Sequence, residues 1–120
     1  MALRQVVRTH AVKLGFSLID QTKFVTAASE LGRNTVIHGG GGVANLEVLE
    51  QPGMRRGIRL TFEDHGPGIV EIEQALRDGY TTGSGLGLGL GGAKRLSDEF
   101  SIQSIPASGT RVVITQWSRK

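Results

Sequence analysis

The segment from Gly79 to Gly92 constrains what this chain can fold into more than any other, because half of its residues are glycine. It contains no charged residue and no proline, and it runs into a segment with a helical pattern, Leu90 to Phe100. Glycine loses more conformational freedom on folding than any other residue, so this density indicates a backbone requirement. Bare N–H groups in front of a helix N-terminus bind anions. The segment therefore predicts a mobile loop that closes around an anion.

The composition limits the classes of protein to which the chain can belong. Its 120 residues suffice for one domain with a hydrophobic core, and we expect residues 1–120 to form that single domain. Without cysteine there are neither disulfides nor thiolate metal sites. No apolar run approaches the roughly 18 residues of a membrane span, and residues 1–9 lack the apolar block of a signal peptide. We expect a cytoplasmic protein with no membrane partner.

The charge balance is mildly basic, with a formal net charge of +3 at pH 7. The basic residues are scattered, and only 5% of the residues are aromatic, which argues against a base-stacking platform for nucleic acid. A nucleotide ligand or an acidic protein partner suits this balance better.

The order of helical and strand patterns predicts an α/β protein. Helical patterns cover 2–14, 20–38, 70–77 and 90–100. For the second helix, Asp20 is the predicted N-cap and the four-glycine segment 39–42 is the predicted stop. Strand patterns cover 43–50, 57–64, 101–105 and 110–117. Because the strands come in adjacent pairs, we expect a two-layer α/β sandwich, with a mixed, mostly antiparallel sheet and helices on one face.

Known phosphate-binding motifs do not account for the glycine-rich segment. The P-loop is missing, since Lys94 is not followed by serine or threonine. The dinucleotide fingerprint matches at Gly87, Gly89 and Gly92, but no hydrophobic strand precedes it and no acidic residue follows Glu99. We interpret this match as a consequence of glycine density.

Asp64 stands at an unusual place in its strand. It continues the apolar face formed by Ile58, Leu60 and Phe62, where a carboxylate is costly unless something pairs with it. It either lies at the floor of a pocket and accepts hydrogen bonds from a ligand's amine, or caps the turn before residues 66–68. Both interpretations remain open at this point.

Glu30 and Asn34 lie one helical turn apart on the second helix, among the apolar residues Ala27, Leu31 and Ile37. A carboxylate and an amide in an apolar stripe suggest a site that opens against the sheet. An amide oxygen can hold Mg²⁺, which takes its remaining ligands from waters and phosphates. A buried Glu–Asn hydrogen bond and a solvated helix flank are the alternatives.

Together these segments resemble a known ATP-binding fold. Glu30-x-x-x-Asn34, Asp64-x-Gly66-x-Gly68, the glycine-rich segment and Gly109-Thr110 are similar in order and interval to the Bergerat fold of the GHKL superfamily. Within it, residues 78–83, 94–100 and 109–117 most resemble the RsbT-type serine/threonine protein kinases, relatives of the anti-sigma-factor kinases. The resemblance covers about Leu3 to Trp117. That family begins with an extra strand, which we expect to be missing here.

The resemblance implies a role for each residue of the site. Glu30 would be the general base for a serine hydroxyl, Asn34 would hold Mg²⁺, and Asp64 would accept the adenine amine. Gly66 and Gly68 would let the backbone approach the nucleotide. Thr110 would support the adenine pocket beside Asp64. The cofactors implied are therefore ATP and Mg²⁺.

The resemblance also turns the anion-binding loop into an ATP lid. The implied lid residues are Thr81, Thr82, Gly83, Ser84, Gly85, Leu86, Gly87, Leu88 and Gly89. Without nucleotide or partner, we expect them to be the least ordered part of the chain. Lys94 or Arg95 either adds positive charge near the phosphates or lies on a solvated helix face.

The implied function is a serine/threonine protein kinase and partner-switching regulator. It would use Mg-ATP to phosphorylate a STAS-domain antagonist protein in a stress-response pathway that controls a sigma factor, and then pass to a downstream metal-dependent phosphatase regulator. The alternative is an ATP-dependent anti-sigma-type binding module that sequesters a sigma factor or activator. A stand-alone ATPase or histidine-kinase catalytic domain is a third, less favoured interpretation.

Overall fold

Helices and strands follow one another in the predicted order. A computed structural model describes residues 2–37, 39–51, 55–69 and 90–118. Its elements are α1 (Ala2–Lys13), α2 (Leu18–Ile37), β1 (Gly42–Gln51), β2 (Arg55–Asp64), α3 (Leu90–Leu96), β3 (Glu99–Ile105) and β4 (Gly109–Trp117). The helix predicted over 70–77 and the lid predicted over 81–89 lie outside the described residues.

The strands β1 to β4 form one antiparallel sheet in the order β1-β2-β4-β3. The two central strands, β2 and β4, are paired over Gly57↔Trp117 to Asp64↔Thr110. Each edge strand pairs antiparallel with its neighbour, β1 with β2 and β3 with β4. The prediction of an α/β protein with a mostly antiparallel sheet is confirmed.

The core lies between one face of this sheet and the helices. Alternate residues of β2, Ile58, Leu60 and Phe62, are at most 2% exposed. They belong to one buried cluster with Phe24 and Leu31 of α2, to which α1, α3 and β4 also contribute. Alternation along a strand places the next residue in phase, position 64, on the same face at the edge of the core.

The start of α2 differs from the prediction. The helix begins at Leu18, and the backbone N–H of Asp20 donates to Ser17 Oγ at 3.1 Å, so Ser17 is the N-cap. The prediction of Asp20 as the cap is wrong. Asp20 lies in the first turn and is 5% exposed, where a carboxylate suits the positive end of the helix dipole.

The four-glycine segment 39–42 follows the end of α2, as predicted. Gly41 donates its backbone N–H to the Thr35 carbonyl at 3.0 Å. Gly40 and Gly41 have φ values of 76° and 107°, a backbone region that favours glycine. The chain therefore leaves the helix here and turns into β1.

The last helix is shorter than predicted. It ends at Leu96 instead of Phe100, and β3 already begins at Glu99. Near the helix end, Ser97 donates its hydroxyl to the carbonyl of Ala93 at 2.9 Å. Phe100 packs against the core from β3, so its apolar character reflects strand burial and not helix continuation.

Candidate functional site

A cavity of about 170 Å³ opens between α2, the loop after β2 and the start of β4. Its walls are mostly apolar, with a few polar groups among them. The lining residues are Leu31, Asn34, Thr35, Gly39, Phe62, Asp64, Pro67, Gly68, Ile69, Leu90, Thr110 and Val112. Typical small-molecule pockets measure about 300–1,000 Å³, so this part of the molecule has room for one ring system of a larger ligand.

Several residues predicted for the site meet in this cavity. Asn34, Asp64, Gly68 and Thr110 all line it, although they come from three separate segments of the chain. Glu30 is half-buried on α2, one turn before Asn34, and does not line the cavity. The predicted lid residues, 81–89, lie outside the described residues.

Gly66, also predicted for the site, lies behind the lining and not in it. Its contribution is a backbone N–H, which donates to Asp64 Oδ1 at 2.9 Å. One interpretation of Asp64, a turn-capping aspartate, is therefore realised. No described residue donates to the other oxygen, Oδ2, of this half-buried carboxylate. The two interpretations of Asp64 are compatible, because Gly66 N–H uses only one oxygen of the carboxylate, and Asp64 also lines the cavity.

Gly39 is a residue of the site that the sequence analysis missed. A Cβ at position 39 would lie 2.6 Å from Asp64 Oδ2, and a Cβ on Gly66 would lie 2.7 Å from the Gly39 Cα. Two glycines thus allow the end of α2 to touch the loop after β2. The four-glycine segment was a signal for this contact, but we interpreted it only as a helix stop.

The loop after β2 is fastened to the turn between β3 and β4. Ala107 donates its backbone N–H to the Pro67 carbonyl at 2.7 Å. Gly68 has a φ of 76°, and a Cβ there would collide with the carbonyl of Ile105. The Asp64-x-Gly66-x-Gly68 motif therefore has a fixed backbone path along the cavity wall.

Ser104 on β3 is a second residue that the sequence analysis missed. Its Oγ accepts a hydrogen bond from Ile69 N–H at 2.6 Å and lies 2.8 Å from Thr110 Oγ1. The strand register places Ser104 opposite Thr110, and Thr110 opposite Asp64. The side chains of Ser104, Thr110 and Asp64 therefore follow one another across β3, β4 and β2. The signal was available, since Ser104 continues the inward phase of Phe100 and Ile102 as Asp64 does on β2.

The polar groups around the cavity suit a hard cation that binds together with the phosphates of a ligand, and not a cation held by the protein alone. The described residues include no group of three or more histidine, cysteine, aspartate or glutamate side chains that could hold a metal. Asn34 lines the cavity and carries an amide oxygen, which would supply one protein ligand to a cation such as Mg²⁺ if phosphates and waters completed the coordination. Lys94 and Arg95 are exposed on α3 and do not line the cavity.

The chain matches a known family model over most of its length. Residues 19–119 match the model described as histidine kinase-, DNA gyrase B-, and HSP90-like ATPase. The sequence is also 42% identical, over 99% of this chain and 89% of the relative, to the serine/threonine-protein kinase RsbT of Bacillus subtilis (strain 168). The chain belongs to this ATPase family, among its RsbT-type serine/threonine-protein kinases. The resemblance inferred from the motifs is thereby confirmed.

Other relatives of this RsbT-type kinase are named anti-sigma F factors. The anti-sigma F factor of Geobacillus sp. (strain WCH70) is 29% identical over 98% of the chain and 83% of the relative. The anti-sigma F factor of Halalkalibacterium halodurans is 30% identical over 92% of the chain and 79% of the relative.

Solved structures show that the RsbT-type kinase shares its fold with histidine kinases. Full-length ShkA in complex with AMPPNP superposes with a TM-score of 0.63 at 17% identity, and the match covers 99% of this chain and 29% of ShkA. The mycobacterial sensor histidine kinase MprB superposes with a TM-score of 0.58 at 19% identity, over 82% of this chain and 72% of MprB. Among the described residues, no helix is long and apolar enough to cross a membrane.

Proposed function

We propose that this RsbT-type kinase binds Mg-ATP at the cavity and phosphorylates a STAS-domain antagonist protein, within a stress-response pathway in the cytoplasm. The observation that carries the proposal is the meeting of Asn34, Asp64, Gly68 and Thr110 in one cavity. They were singled out from three different parts of the sequence, which α2, β2 with its following loop, and β4 bring together. The family assignment supplies independent support.

The adenine ring is the part of ATP that suits this cavity. Leu31, Ile69, Leu90 and Val112 provide apolar surface for the faces of a planar ring. Asp64 offers the acceptor that an exocyclic amine needs, because Gly66 occupies only one of its two oxygens. The apolar lining of the cavity and the acceptor on Asp64 therefore both favour an aminopurine.

The phosphates would extend from this pocket toward Asn34, which would hold the bridging Mg²⁺. Bound Mg²⁺ neutralises phosphate charge during transfer, and positioning supplies most of the remaining catalysis. The predicted lid, residues 81–89, would cover the phosphates with its backbone N–H groups. This part of the proposal depends on the resemblance alone, since the lid lies outside the described residues.

Glu30 is the proposed general base. It lies one turn from Asn34 on α2 and outside the cavity, a place where it could meet a hydroxyl that approaches the terminal phosphate from a partner protein. Its half-buried position keeps it accessible to such a partner. General base catalysis by a positioned carboxylate contributes about 10²–10⁴-fold to a rate.

Phosphate transfer to a STAS-domain protein tests the proposal. With radiolabelled Mg-ATP, we expect the wild type to label the STAS protein, and Glu30→Ala to reduce the rate at least about a hundredfold without loss of ATP binding. The matched control is Glu47→Ala, which removes an exposed carboxylate on β1 and should leave both the rate of phosphate transfer and ATP binding unchanged. Equal rates for Glu30→Ala and wild type would show that Glu30 is not the base.

The similarity to anti-sigma F factors favours one second candidate. In it, the chain is an ATP-dependent binding module that sequesters a sigma factor or activator. Capture experiments with immobilised protein, run with ATP and with ADP, separate the two functions. Retention of a sigma factor without phosphate transfer to a STAS protein favours the binding module. Transfer to a STAS protein, followed by release toward a phosphatase-type regulator, favours the kinase.

A further inference from the structure

We infer that Ser104 determines whether the Thr110 hydroxyl donates or accepts hydrogen bonds in the cavity. In this way it makes the cavity selective for an amino group with two hydrogens. Ser104 does not line the cavity, so it acts as a positioning residue through Thr110. The inference rests on the proposed ATP site and adds to it the group that recognises the second hydrogen of the adenine amine.

The contacts of the Ser104 hydroxyl determine where its proton lies. A serine hydroxyl has one proton to donate and two lone pairs that accept. Ile69 N–H occupies one lone pair, at 2.6 Å. The Gly109 carbonyl, 3.2 Å away, can only accept, so we assign the Ser104 proton to it. Thr110 Oγ1, 2.8 Å away, is then left with the second lone pair. All three contacts are made at once only when Thr110 donates to Ser104.

When the Thr110 hydroxyl donates its hydrogen bond to Ser104, it can only accept hydrogen bonds from a ligand in the cavity. Its neighbour across the strand register is Asp64, whose Oδ2 receives no hydrogen bond from a described residue. The pocket therefore presents two acceptors side by side and no donor from either residue.

The spacing of these acceptors suits one amino group. Directly opposed side chains on neighbouring strands have Cβ atoms about 4.5–5.5 Å apart. Two oxygens that each accept from the same –NH₂ nitrogen at about 2.9 Å lie about 5 Å from each other. An exocyclic amine can thus donate one hydrogen to Asp64 and the other to Thr110, directly or through a water. An oxo group in that place would face two acceptors and be rejected.

Calorimetric titration of the full chain with two nucleotides tests this inference. The probes are ATP and purine riboside triphosphate, which has the same ring without the 6-amino group. The variants are Thr110→Val, Ser104→Ala and the double variant. We expect Thr110→Val to lower the preference for ATP roughly threefold to tenfold when Ser104 is present. In the Ser104→Ala background, we expect Thr110→Val to change the preference for ATP by less than about twofold. The ratio of two affinities cancels losses that come from folding alone.

Two further variants keep the test decisive. Ser104→Thr retains the hydroxyl and should restore the coupling between position 104 and Thr110. Ser101→Ala makes the same truncation at an exposed place on the same strand and should leave the preference for ATP unchanged. An equal effect of Thr110→Val with and without Ser104 would overturn the inference while leaving the ATP site intact. A wild type that binds ATP without preferring it to purine riboside triphosphate would overturn the inference, whereas a wild type that does not bind ATP would overturn the proposed function as well.

Discussion

Single residues shape this site by what they lack as well as by what they carry. Gly39 and Gly66 have no side chain, and this absence allows α2 and the loop after β2 to touch beside Asp64. A side chain at either place would separate the element that carries Asn34 from the element that carries Asp64. Close approach of backbone, and not flexibility, is the requirement at Gly39.

The first prediction at this scale concerns Gly39→Ala. Its Cβ would lie 2.6 Å from Asp64 Oδ2, so the carboxylate must shift. We expect a loss of about 1–3 kcal/mol in the free energy of unfolding, typical of overpacking, together with weaker ATP binding. Thermal unfolding and ATP titration measure the two effects.

Gly92→Ala is the matched control for this substitution. Gly92 is in helix α3, and among the described residues no atom outside its chain neighbours and the backbone of its own helix lies within 4 Å of a Cβ at position 92. Alanine there should leave ATP affinity unchanged and raise stability, because glycine disfavours helices by about 1 kcal/mol. Unchanged ATP affinity and stability in Gly39→Ala would contradict the close contact between Gly39 and Asp64.

Residues of the site could be predicted from the sequence at positions where a polar group interrupts an apolar pattern. Asp64 was found because it continues the face of Leu60 and Phe62. Ser104 has the same property on β3 but was missed, since a serine in a strand is common and a carboxylate is not. Gly39 was missed because a contact between α2 and the loop after β2 is a tertiary fact, which no local pattern contains.

At the scale of elements, α2 organises the site. It packs its apolar side against the sheet, and its last turns bring Leu31, Asn34 and Thr35 to the cavity. The helix is fixed at its beginning by the Ser17 cap and at its end by the contact of Gly39 with the loop after β2. The cap and the site therefore lie at opposite ends of one helix.

The second prediction concerns this cap. Ser17→Ala removes the acceptor of the Asp20 N–H and should lower the free energy of unfolding by about 1 kcal/mol. Ser101→Ala, at an exposed strand position, should change it by less than about 0.5 kcal/mol. Urea unfolding compares the two variants. Equal stability of Ser17→Ala and wild type would mean that another group caps the helix.

The sequence predicted the existence and order of the described elements better than their ends. Strand and helix patterns follow from burial on one face, which repeats along the chain and is visible in the sequence. The ends depend on single hydrogen bonds, as at Ser17, or on tertiary packing, as at Phe100. Patterns alone therefore placed the start of α2 too late and the end of α3 too far along the chain.

At the scale of the whole molecule, the sheet brings distant segments to one place. The pairing of β2 with β4 sets Asp64 beside Thr110, and the pairing of β4 with β3 sets Thr110 beside Ser104. A ligand in the cavity would contact α2, the loop after β2 and β4 together. Its binding should therefore stabilise the native state as a whole, by about 2.7 kcal/mol at a hundredfold excess over Kd.

The central claim is that Asp64 receives the adenine of ATP, and titration of ATP into the Asp64→Asn variant tests it most directly. The substituted side chain keeps one oxygen to accept from Gly66 N–H, so the turn should persist while the second acceptor is lost. Glu63→Gln is the control, because that carboxylate is exposed and pairs with Arg111 at 3.6 Å. We predict that Asp64→Asn weakens ATP binding by about 10–150-fold, from a loss of about 1.5–3 kcal/mol, and that Glu63→Gln leaves it unchanged. An Asp64→Asn variant that binds ATP as tightly as the wild type would contradict the account.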